Sequence, residues 1–145
     1  MSDPAATATR LRTAIRFLIR RAETVSGKGK PPRSELDVMV LLDEKGALTP
    51  GELSTAMRVR PQTTGQTLDA LTRRRWIVRK PHATDGRRVL VSLSPAGRKV
   101  LRAGRDLRQA WLTGEVGKLS PAEHRTLLDA LALLERIAQC DPTSL

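Results

Sequence analysis

Gln62, Thr63 and Gln66 stand close together in the run RPQTTGQTLDALTRR, from Arg60 to Arg74. A glutamine amide presents a donor beside an acceptor and can bond adenine bidentately, and a threonine can reach a base or its methyl group. Their spacing sets all three on the side of a helix away from Leu68 and Leu71. A solvated polar face is the alternative, and it needs no partner. Cations bracket the segment: Arg58 and Arg60 before it, Arg73, Arg74, Arg75, Arg79 and Lys80 at its end and beyond. Each cation set against a phosphate releases condensed counterions. Those at the helix end also complement its dipole without any ligand.

A second basic cluster, Arg87 and Arg88, follows Asp85-Gly86 between two β-like segments. An arginine at the tip of such a hairpin can enter a minor groove, where a narrow A·T tract concentrates negative potential. Minor-groove insertion is assigned to Arg87. Asp85 would repel a polyanion if it stood alone; it either holds a neighbouring arginine fork or caps the turn.

Elements that can position these groups are legible on both sides. A polar leader, Ser2 to Thr9, precedes a helix carrying Leu11, Ile15, Leu18 and Ile19, which should fade at SGKGKPP. Ser34, with Asp37 three residues on, predicts a capped helix start and an apolar face of Leu36, Met39, Val40 and Leu42, closed by Gly46. Thr49-Pro50-Gly51-Glu52 opens a short helix with Leu53 and Met57 inward, and Pro61 opens the next. Two short helices so joined form a helix-turn-helix. Gly65 sits oddly inside the second; close approach to DNA or to the neighbouring helix would explain it, and so would a tolerated imperfection.

Ile77-Val78 and Arg88 to Leu93 read as strands around KPHATDGR, where Asp-Gly is the strongest turn signal. Helices resume at Ser94-Pro95-Ala96 and at the capping box Ser120-Pro121-Ala122-Glu123. The order is α, α, α, α, β, β, α, α, a mainly α chain with a hairpin wing. Residues 1–33 are expected to form an arm and first helix, 34–93 a winged helix-turn-helix, and 94–145 a pair of further helices. The apolar stripes of the first and last helices exceed what a small module needs, which predicts a helical platform shared by two chains. Trp76 and Trp111 are assigned to core or interface, or to a cleft between platform and module, and His82 and His124 to the surface.

Composition narrows the partner. The chain has 145 residues and a formal net charge of +11, room for one cored domain with a strong preference for anions. Aromatic residues are only 2%, too few for base-stacking platforms, so duplex DNA fits better than RNA. Cys140 is the sole cysteine, and His82 and His124 lack ligand spacing, so no metal site, disulfide or cofactor is expected. There is no nucleophile elbow and no phosphate loop with its lysine, so the chain does not read as an enzyme. No run is long enough to span a bilayer and no secretion signal is evident, which predicts a cytoplasmic protein.

With these elements in place, the chain resembles the MarR family of winged helix-turn-helix transcriptional regulators from Leu11 to Ile137. The most specific stretch is RRRWIVRKPHATDGRRVLVSLSPAGRKVL, Arg73 to Leu101, preceded by TPGELSTAMRVRPQTTGQTLDALTRR, Thr49 to Arg74. The resemblance implies a homodimer joined through the first and last two helices. It places Pro61 to Arg74 in the major groove, with Gln62, Thr63 and Gln66 facing DNA. Arg87 would be the wing arginine supported by Asp85. Apart from the resemblance, the basic flanks and the hairpin make Arg60, Arg73 and Arg88 further candidate DNA contacts. The helix start at Ser34 would lie near phosphates. It also implies repression of a neighbouring or its own operon through a pseudo-palindromic operator, relieved by a small aromatic or anionic effector. Two departures stand out. Arg75 occupies the family's usual helix-ending glycine, which points to a differently shaped end. Cys140 lies far from the N-terminal position of redox-sensing members. A non-specific architectural or nucleoid-associated DNA binder is the main rival reading, and a protein-binding adaptor another.

Overall fold

A computed structural model describes residues 3–25, 27 and 29–140. The elements are α1 (Pro4–Thr24), α2 (Arg33–Lys45), α3 (Pro50–Met57), α4 (Pro61–Arg73), β1 (Ile77–Pro81), β2 (Val89–Leu93), α5 (Pro95–Val116) and α6 (Pro121–Ala138). This is the expected order, mainly helical with one small antiparallel sheet.

Most helix starts use one device, a short polar cap followed by proline. Thr49, Ser94 and Ser120 each accept from the backbone N–H three residues on, satisfying a donor the helix itself leaves open. Ser120 and Glu123 complete the predicted reciprocal box.

Two starts differ from expectation. The segment read as a leader is helical: Asp3 accepts from the Ala5 N–H at 3.0 Å and Pro4 opens α1. The apolar period begins only at Leu11, but the cap and the alanines start the helix sooner. Ser2 of that leader lies outside the described residues, as do Ser26 and Lys28 of the breaker run. Ser34 is not a cap. Pro32 holds the N-cap position with no side-chain bond, and Asp37 instead pairs with Arg33 at 3.0 Å, one helical turn back.

The core is formed by Val38, Met39 and Leu42 of α2, Leu53 of α3, Leu68 and Leu71 of α4, Ile77, Val91 and Leu93 of the strands, and Leu101 of α5. Val38 joins the α2 face because Leu36 and Val40 are only half-buried beside it. The strands pair from Ile77↔Leu93 to Pro81↔Val89. Leu48 adds a short third rung, exchanging both backbone bonds with Val91 at 3.0 and 2.8 Å. That bridge, unforeseen in the sequence, ties the segment before α3 to the wing. α6 has no substantial packing partner among the described residues, and neither α1 nor α6 buries any residue fully.

Candidate nucleic-acid interface

The helix-turn-helix is held from within by hydroxyls. Ser54 on α3 and Thr64 on α4 are both buried, and their oxygens are bonded at 2.8 Å. Thr64, Leu68 and Leu71 follow helical spacing, so Thr64 belongs to the inward face. Hydroxyl pairing at the centre of the contact lets two short helices approach without leaving a donor orphaned. With that face inward, Gln62, Thr63 and Gln66 are all exposed. Gly65 has open space where a Cβ would stand, so packing against the neighbouring helix is not its reason.

Both turns that frame α4 put an arginine into left-handed backbone. Arg58, between α3 and α4, has φ 54°, and Arg75, after α4, has φ 60°. Each closes a Schellman end. Arg58 and Val59 donate to Thr55 and Ser54 carbonyls at 3.3 and 3.1 Å, and Arg75 and Trp76 donate to Thr72 and Leu71 at 3.0 and 3.1 Å. Glycine adopts this conformation freely, and other residues at a cost on the order of 1–2 kcal/mol. The end of α4 therefore has the usual glycine geometry with arginine in it, which corrects the expectation of a differently shaped end.

The bracketing cations divide into two groups. Arg74 lies over the Trp76 ring at 4.8 Å, and its Nε is 3.3 Å from the buried carboxylate of Glu35, without the alignment of a hydrogen bond. Arg79 pairs with Asp69 at 2.9 Å and donates to Thr72. These two serve the protein's own packing. Arg58, Arg60, Arg73, Arg75 and Arg87 are exposed, and none has a side-chain ion pair or hydrogen bond among the described residues. Arg60 is the extended N-cap of α4 and offers no side-chain acceptor there, so the first N–H groups of that helix stay open.

In the wing, Asp85 caps the turn. Its Oδ1 accepts from the Arg87 N–H at 3.1 Å, and no ion pair links it to an arginine among the described residues. Gly86 does not take the positive φ that a two-residue Asp-Gly hairpin would require. Instead residues 82–88 form a longer loop organised by His82, whose Nδ1 accepts from the Thr84 and Asp85 N–H groups, each at 3.3 Å. His82 had no sequence signal beyond its place in the turn. Arg88 reaches across to Glu52 of α3 at 3.4 Å, which links wing to helix-turn-helix and leaves Arg87 as the unengaged wing arginine. Ser34 is exposed on the first turn of α2, apart from the α4 cluster in sequence and making no side-chain hydrogen bond among the described residues.

The missed residue of most consequence is Glu35, an acid on the α2 core face. Its period with Val38, Met39 and Leu42 marked it as inward in the sequence.

Two cavities lie between the module and the outer helices. One, about 260 Å³, is lined by Lys30, Pro31, Leu36, Val100, Leu107 and Arg108. The other, about 580 Å³, lies between Ile19 and Ala22 of α1, Leu36 and Val40 of α2, and Met57 of α3. Trp111 lines a third surface hollow with Leu18 and Ile19, while Trp76 packs on the core.

Comparison with known proteins places this geometry. A model of the MarR family matches residues 31–88. An HTH-type transcriptional regulator of Mycobacterium tuberculosis is 31% identical over 142 residues, covering 98% of this chain and 99% of its own. The crystal structure of a transcriptional regulator of Pseudomonas aeruginosa superposes with TM-score 0.82 at 33% identity, over 97% of this chain and all of that one. A Staphylococcus aureus MepR mutant bound to an oligodeoxyribonucleotide superposes with TM-score 0.73 at 19% identity, over 92% and 98% of the two chains.

Proposed function

The chain belongs to the MarR family of DNA-binding transcriptional regulators, and from that premise we propose that it is a dimeric, sequence-specific repressor of a neighbouring or its own operon. The observation that carries the reading is the exposed set Gln62, Thr63 and Gln66 on a helix whose framing cations, Arg60 and Arg73, have no side-chain partner among the described residues. Amide and hydroxyl groups supply base discrimination, roughly 1–3 kcal/mol for each good bidentate pair. Arginines supply affinity without sequence preference. Arg87, without a side-chain partner among the described residues, is assigned to the minor groove with Asp85 holding its backbone, and Arg88 and Ser34 to phosphates. The DNA bound by the MepR neighbour supports the same use of this fold.

Dimerisation is supported by large apolar side chains that stay exposed among the described residues: Phe17, Leu18 and Ile19 of α1, and Leu128, Leu131 and Ile137 of α6. Two such chains present two recognition helices, matching a pseudo-palindrome with half-sites one helical turn apart, about 34–36 Å. Relief by a small aromatic or anionic effector is supported by the cavities between module and outer helices, where Leu36 and Val100 offer apolar wall and Lys30 a cation. An effector that binds one dimer geometry better shifts the population toward it and away from the DNA-bound spacing.

The test is a footprint of the purified protein on the DNA upstream of its gene, beside a salt titration against random duplex. A short protected palindrome, bound far more tightly than random DNA at physiological salt, is the expected result. Uniform weak protection lost steeply with salt would mean a non-specific architectural binder, for which the charge of +11 suffices. Absence of binding to either DNA would favour a protein-binding adaptor.

A further inference from the structure

Arg58 and Arg75 share a backbone state that favours glycine, φ 54° and 60°, and both side chains are exposed without a protein partner among the described residues. Among the described residues no contact repays an arginine at either place, since the Schellman bonds that each residue makes use only its backbone N–H. A strained cation with no internal partner is a candidate for an external contact, and its surroundings decide between the two. The two positions differ in what lies beside them. Arg75 is at the inner end of α4, where the Ser94 hydroxyl donates to its carbonyl at 2.6 Å and α5 begins. Arg58 is in the turn that precedes α4, a few residues from Gln62 and Thr63 and next but one to Arg60.

We propose that Arg58 is a phosphate-contacting residue, a cation held in strained backbone so that its side chain meets the DNA strand flanking the groove that α4 enters. This rests on the DNA-binding reading above and adds a site to it. The left-handed turn fixes the direction in which the Arg58 side chain leaves the helix-turn-helix. A guanidinium set there neutralises a phosphate at every sequence alike. Arg58 lies in the turn before the end of α4 that carries Gln62 and Thr63, so a helix that presents those residues to bases brings this turn beside the flanking strand.

Arg75 makes the test internal. Arg58→Gly and Arg75→Gly remove the same side chain and the same strain, so both variants should unfold at or above the wild-type midpoint. Arg58→Gly should weaken binding about three- to tenfold per recognition helix, equally on operator and random duplex. It should also lower the slope of log affinity against log salt by about one unit per helix. Arg58→Lys, which keeps the charge, should retain most of that slope. Arg75→Gly should change affinity by less than Arg58→Gly.

An Arg58→Gly protein with wild-type affinity and salt slope would overturn the proposal while leaving the DNA-binding reading intact. So would a lowered unfolding midpoint with unchanged slope, since the side chain would then be structural. A wild-type protein that binds no DNA would overturn both.

Discussion

The winged helix-turn-helix and the outer helices are built from similar proportions of leucine and arginine and solve opposite problems. In the module, Met39, Leu53, Leu71 and Val91 are completely enclosed, and polar groups that enter with them, Ser54 and Thr64, bond one another. In α1 and α6 no residue is buried, and Phe17 and Ile137 are 58% and 59% exposed. The module is a finished object within one chain. Among the described residues α1 and α6 keep much of their apolar side chains exposed, a surface that invites a further partner.

The sharpest way to break that contrast is to damage each half separately. Leu53→Ala should cost about 2–5 kcal/mol in chemical denaturation, because the fully enclosed site cannot collapse around the lost atoms. A loss well below 1 kcal/mol would mean the module is looser than its burial implies. Leu131→Asp, on the exposed face of α6, should abolish association in light scattering while the urea midpoint of the module moves little. Monomeric wild-type protein, or a variant that still associates, would remove the reason given for the uncovered face.

The smallest effect concerns the start of α6. Glu123 is held below the usual carboxylate range by the Ser120 backbone N–H, then by the Ser120 hydroxyl. A depressed folded value contributes stability above the unfolded value and loses it as pH falls through the folded one. The Ser120 amide resonance should therefore titrate below about 4.5, and Glu123→Gln should abolish the transition. A midpoint at or above that value would show that the box is not closed in solution.

The same contrast governs what could be read in advance. Pro61, Leu68 and Leu71 announced α4 by proline position and period, and Ser94 and Ser120 announced α5 and α6 by local hydrogen bonding. These are signals carried within a few residues, so they survive without knowledge of the fold. The Leu48 bridge to Val91, the Glu35–Arg74 contact and the Arg88–Glu52 pair join segments distant in the chain, and nothing local encodes their meeting. Ser34 misled because a serine before an acid matches a capping pattern that Pro32 had already displaced by fixing an earlier start. Among the candidate contacts, side-chain exposure was legible for Gln62, Thr63 and Gln66. The division of the arginines into engaged and unengaged was not, since it depends on which carboxylates and rings fold alongside.

Gly97 gives the long α5 helix its mechanical character. A Cβ at this position would overlap the carbonyl of Trp76, and Ser94 is bonded to Trp76 and Arg75 at 2.9 and 2.6 Å, so helix and wing meet backbone to backbone. With no side chain between them to yield, a change at the wing passes directly into the start of the helix. Over about 33 Å of helix, a tilt of about 10° moves the far end by roughly 6 Å. A small change of angle at the wing is thus multiplied along α5 into a shift of several ångströms at the end remote from the sheet.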